Sequence, residues 1–148
     1  MEIIIHPYQG IEIPGKGRIS FGMTRKRVRS FFSEQPKEVL VSETSDMPTD
    51  MYNKASLQFS YKLPGLLKSI TIAPIQDPIF QGQHLLHTPY HKIEAWFKQL
   101  DPNLEIEEYE GLTSYSFGII LWAPDADEQE LDYQAESVFI FEREYYTK

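Results

Sequence analysis

The chain has 148 residues, a formal net charge of −8, 41% hydrophobic residues and no cysteine. Such a length suits one domain over 1–148 that buries about two thirds of its unfolded surface, and the missing cysteines exclude disulfides, thiolate nucleophiles and zinc–thiolate sites together. No stretch approaches the roughly 18 apolar residues of a membrane span, and the opening Met1-Glu2-Ile3-Ile4-Ile5-His6-Pro7 lacks the basic start and apolar length of a signal peptide, so a soluble, cytoplasmic protein is expected.

The charge is unevenly spread. Residues 1–100 carry 12 Lys and Arg against 9 Asp and Glu, whereas residues 101–148 carry 2 against 13, a local balance of −11. A field of that sign repels nucleic acid and attracts basic surfaces. The expected partner is therefore a basic protein, with neither nucleic acid nor membrane. The plain alternative is that these acids solvate outward strand faces.

In chain order, Glu2–His6 and Ile11-Glu12-Ile13 alternate as short strands, expected at sheet edges, before Pro14-Gly15-Lys16-Gly17 breaks the chain. Thr24 is a good N-cap for a helix over 25–33, with Val28, Phe31 and Phe32 on one face, Arg25, Lys26, Arg27 and Arg29 outward, and Pro36 as the stop. A strand is expected over 38–43, with Val39 and Val41 on one face. A polar loop over 42–53 and a hairpin of 55–61 with 67–72 about Pro64-Gly65 follow.

The second half repeats this plan. Thr88 reads as an N-cap and Pro89 as the first helical residue, with Ile93, Trp96, Phe97 and Leu100 on the apolar face and Asp101-Pro102 as the stop. Strands are expected at 104–109, 115–122 and 137–141. Superposing Thr24 on Thr88 sets Phe31-Phe32 near Trp96-Phe97. The fold expected is α+β, with two tandem helix-plus-antiparallel-sheet units, about 18–74 and 84–144, sharing a core.

Gly10-Ile11 followed by Ile19-Ser20-Phe21-Gly22-Met23-Thr24-Arg25-Lys26-Arg27-Val28-Arg29 resembles the opening of a group of small uncharacterised bacterial proteins, some of which resemble immunity proteins of polymorphic toxin systems. The duplicated helix–loop–sheet plan is similar to beta-lactamase-inhibitory protein and to the small outer-membrane assembly lipoproteins. The chain lacks the disulfides of the former and the lipidation cysteine of the latter. The resemblance implies inhibition by protein–protein contact. For an immunity protein, it implies a basic, nuclease-like toxin as the target.

Catalytic constellations are sparse. His84, His87 and His91 would align on one continuous helix, but Thr88-Pro89 marks a helix start between them, and no carboxylate stands at ligand spacing. No serine lies in a Gly-x-Ser-x-Gly elbow, and Gly15-Lys16-Gly17 lacks phosphate-loop spacing. An exposed acidic strand gives neither Glu105 nor Glu107 a reason for a raised pKa. Neither catalysis, a cofactor nor a metal is expected. Tyrosines interleaved with carboxylates instead suit recognition of a basic surface, the rings giving rigid contact area and the acids steering. The candidate contact residues are Glu105, Glu107, Glu108, Tyr109 and Glu110 on one strand, and Asp125, Asp127, Glu128, Glu130, Asp132 and Tyr133 on a long loop between Trp122 and Ser137. The function expected is a non-catalytic inhibitor of the immunity-protein kind; the alternatives are a housekeeping binding module and a metal-dependent enzyme using the three histidines.

Overall fold

The computed structural model describes residues 1–40 and 47–146. Three short strands, β1 (Glu2–His6), β2 (Gly10–Ile13) and β3 (Gly17–Ser20), precede α1 (Arg25–Arg29) and a four-stranded meander of β4 (Lys37–Val39), β5 (Thr49–Tyr52), β6 (Leu57–Lys62) and β7 (Leu66–Ile72). Two linking strands, β8 (Asp77–Phe80) and β9 (Gln83–His84), lead to α2 (Tyr90–Leu100) and a second meander of β10 (Glu105–Glu107), β11 (Gly111–Ser114), β12 (Ile119–Trp122) and β13 (Ser137–Phe141). The fold is α+β, with helix-then-sheet units in tandem. The meanders join into one eight-stranded sheet ordered β10-β11-β12-β13-β7-β6-β5-β4, and the remaining strands form a five-stranded sheet ordered β3-β2-β1-β8-β9.

The two units meet through their last strands, antiparallel, with Ile70 opposite Ile140. Stepping outwards across the sheet gives Phe59 and then Asp50 on one side, and Ile119 and then Ser114 on the other. An approximate two-fold thus relates the units, and it places a wholly buried polar residue, Asp50 or Ser114, at the same register in each. Strict alternation in β6 buries Leu57, Phe59 and Tyr61 on one face. Buried side chains of both sheets and both helices then form one contiguous core, in which Phe32 meets Tyr52 and Phe59, and Phe80 stacks on Phe97. No helix is long and apolar enough to cross a membrane among the described residues.

Several local expectations are corrected. β1 lies at the centre of its sheet and β2 one strand in, because β1 pairs in parallel with β8, whose residues carried no strand signal around Pro78. The first helix ends at Arg29: Phe31 and Phe32 bond back to Val28 and Arg29 in tightened turns, which still press both rings onto the core. The strand expected at 38–43 is Lys37–Val39, residues 41–43 lying outside the described residues. Residues 49–52 of the expected loop form β5, because Arg29 neutralises Asp50 and lets it sit inside the sheet; 42–46 lie outside the described residues. Pro89, not Thr88, caps α2, and it has no side-chain cap bond. The strand expected at 104–109 is Glu105–Glu107. That expected at 115–122 is Ile119–Trp122 alone: 115–118 form the turn that joins it to β11, in which the Gly118 N–H donates to the Ser114 carbonyl at 2.8 Å, and β11 itself was not expected.

Candidate partner-binding cleft

Two acidic segments distant in sequence converge beside α2. The β10–β11 hairpin turns at 108–110, where the Glu110 N–H donates to the Glu107 carbonyl at 3.0 Å and Tyr109 takes a left-handed φ of 72°. The loop after β12 enters a short 3₁₀ turn, Ala126–Glu128, through Asp125 at φ 51°. Backbone bonds lace the segments together: the Ala123 N–H donates to the Glu110 carbonyl at 2.7 Å and the Asp125 N–H to the Tyr109 carbonyl at 3.1 Å. The Tyr90 N–H, an orphan donor at the start of α2, is met by the Tyr133 carbonyl at 2.7 Å, fixing the far end of the loop to the helix. Both lips are therefore held in place before any partner arrives.

Between hairpin, loop and helix lies a cleft of about 450 Å³, lined by Tyr90, Glu94 and Lys98 of α2, by Ile106 to Tyr109 and Gly111, and by Ala123 and Asp125 to Glu128. A smaller hollow of about 180 Å³ adjoins it and is bounded by Tyr90, His91, Glu94, Asp127, Glu130, Leu131 and Tyr133. Six carboxylates line the main cleft against one ammonium, Lys98, which pairs with Glu94 at 3.3 Å. Among the described residues, none of the other carboxylates of the two lips lies in an ion pair.

Tyr90 forms the floor where the two hollows meet. It is only 3% exposed, and its hydroxyl makes no hydrogen bond of normal geometry among the described residues. Burial raises its pKa, and the adjacent Glu94 carboxylate, by its charge and by a loose hydrogen bond from the phenol, raises it further, ahead of Asp127. Tyr133, by contrast, donates to Glu136 at 2.8 Å; burial and then that bond raise its pKa.

Of the candidate contact residues, Glu107, Glu108, Tyr109, Asp125, Asp127 and Glu128 line the main cleft, and Glu130 and Tyr133, with Asp127 again, line the smaller hollow. Glu105, Glu110 and Asp132 are exposed but belong to neither. Tyr90, Glu94 and Lys98 were missed, although their i, i+4, i+8 spacing marks a stripe of α2 beside the apolar positions. The histidines are separated: His84 contacts Asp77 at 2.9 Å, the His87 ring nitrogen lies 2.9 Å from the Gln76 carbonyl, and His91 is exposed in the first turn of α2. No cluster of three potential metal ligands occurs among the described residues. The basic stripe of α1 is divided as well: Arg25 and Arg29 turn inward to Asp50 and Glu38, while Lys26 and Arg27 are exposed.

The fold and cleft define a duplicated α+β protein with an acidic, preorganised concavity. No family model matches the chain, nor does any curated protein or solved structure.

Proposed function

We propose that this protein is a non-catalytic inhibitor of the bacterial immunity-protein kind, which binds a basic, nuclease-like toxin domain in the cytoplasm through the cleft between 105–110 and 125–133. The observation that carries this reading is the convergence of two acidic segments, laced by backbone bonds, around one concave surface. Clustered carboxylates raise the encounter rate with a basic partner, and an anchored loop saves the ordering cost that a free one would incur. Tyr109, 61% exposed, and Leu131, 82% exposed, add apolar contact area at the rim.

The test is affinity capture from lysate of the source organism at low and then moderate salt, comparing the parent with a variant carrying Asp125→Asn, Asp127→Asn, Glu128→Gln and Glu130→Gln. Capture of a basic domain at near-equal stoichiometry, lost in the variant and weakened by salt, is the expected result. Equal capture by parent and variant would leave the acids as a solvated surface and the reading refuted.

A further inference from the structure

We infer that the outer face of the eight-stranded sheet is a dimer interface, on which a second copy of this chain seats face to face about a two-fold axis along the β13–β7 seam. One row of outward side chains crosses all eight strands in register, from Glu105 on β10 through Ile120, Phe139 and Met51 to Lys37 on β4. The neighbouring inward row, from Leu112 to Leu57, is buried in the core, as strand alternation requires. Ile120, Phe139 and Met51 stay half-buried and Trp122 is 43% exposed. Among the described residues, none of these four belongs to the core or packs against it. Solvated sheet faces carry polar side chains, whereas large apolar ones gathered on a face away from the core mark a contact surface.

The layout of that face fits a copy of itself. Trp122 projects from the third strand in the sheet order, β12, and a hollow of about 180 Å³ opens about the sixth, β6, between Met51, Gln58, Thr71 and Ala73. A two-fold axis between the fourth and fifth strands exchanges the third with the sixth, so each indole enters the other copy's hollow. Trp122 lies opposite Ser137, one register step beyond the Val138–Ile72 pair and so level with Ala73, and no shift along the strands is needed. The same axis exchanges the first strand with the eighth and brings Glu105 over Lys37, which lie in one row and, among the described residues, in no ion pair. Eight strands spaced about 4.8 Å apart, each of about five residues rising about 3.3 Å, give a face of about 550 Å². Two such faces bury about 1,100 Å², enough for a specific if not an obligate contact. The acidic cleft stays free, because Ile106 and α2 lie on the inward side of the sheet, so dimer and cleft can be tested apart.

Sedimentation velocity of the full chain from about 2 to about 200 μM tests the interface. A concentration-dependent species of twice 17.3 kDa is expected. Trp122→Ala removes the indole and Thr71→Arg fills the hollow; each should weaken dimerisation about tenfold or more with circular dichroism unchanged. Glu105→Lys and Lys37→Glu should each weaken it severalfold, and the double variant, which restores both pairs with signs exchanged, should recover the parent's affinity. In a Trp96→Phe background, Trp122 emission should move to the blue as the dimer forms. A monomer throughout the range would overturn the second copy as occupant and leave the face to a different protein. A dimer indifferent to both Trp122→Ala and Thr71→Arg would overturn the face, and a double charge variant no tighter than the single ones would overturn the axis.

Discussion

At Asp50 the chain buries a full negative charge, and Arg29 meets it with two hydrogen bonds of 2.7 Å while Arg25 approaches to 3.8 Å. The bond to Asp50 favours the charged guanidinium and raises the pKa of Arg29. Asp50→Ala leaves two cations facing a partly closed site and should cost about 3 kcal/mol in urea unfolding; a loss below about 1 kcal/mol would show that Glu38 suffices for both. Tyr90→Phe should behave oppositely, leaving stability unchanged or raising it by up to about 1 kcal/mol, because the hydroxyl it removes is buried and meets only the Glu94 carboxylate, outside normal hydrogen-bond geometry. A clear destabilisation would reveal a structural role for that hydroxyl. Nearby, burial and then Asp50 push the Tyr52 phenol up from 10.0 to about 12. The folded state therefore holds this proton more tightly than the unfolded one. Its contribution is fully present below pH 10 and is lost as pH rises towards 12, so stability should fall across that interval. Phenolate absorbance followed with circular dichroism checks this: ionisation of every tyrosine without loss of structure would contradict it.

Gly111 shows how one backbone position holds the cleft. Its φ is 134°, and a Cβ there would lie 2.0 Å from the Leu121 carbonyl oxygen. Gly111→Ala must part β11 from β12 and should cost at least about 2 kcal/mol, with faster amide exchange at Ala123, whose bond to Glu110 closes the lips. Unchanged exchange at Ala123 would mean that the lips are held from the loop side alone. β11 escaped notice because Gly111, Leu112, Thr113 and Ser114 are all buried and mostly not apolar. Ser114 is accommodated by the Asp101 carboxylate at 2.7 Å, which also accepts from Ser116 and from the Asn103 N–H. The alternation of Tyr115, Phe117, Ile119 and Leu121 runs straight through the turn and disguises it as strand, since Phe117 packs on Phe80 from outside any sheet.

Across the molecule the two units share one core and one eight-stranded sheet, so they should unfold together. Both tryptophans, Trp96 and Trp122, belong to the second unit, and circular dichroism reports both units. Coincident denaturant transitions by fluorescence and circular dichroism are expected, and separated midpoints would make the units independent folders. The β7–β13 pairing joins the units at Ile70 and Ile140, where burying both strand edges removes two exposed templates for aggregation.

The duplicated helix-and-meander plan, the apolar faces of α2 and β6, and the two acidic segments were legible from residue order, because hydrophobic periodicity and charge clustering are local properties. What required the folded chain was every feature built from long-range partners. Asp50 becomes a strand residue only beside Arg29, and Pro78 enters a sheet only through parallel pairing with β1. Likewise, 105–110 and 125–133 become one cleft only when α2 brings Tyr90 and Glu94 beneath them. A polar residue's local pattern carries no record of whether a distant group will neutralise it, as Arg29 does Asp50.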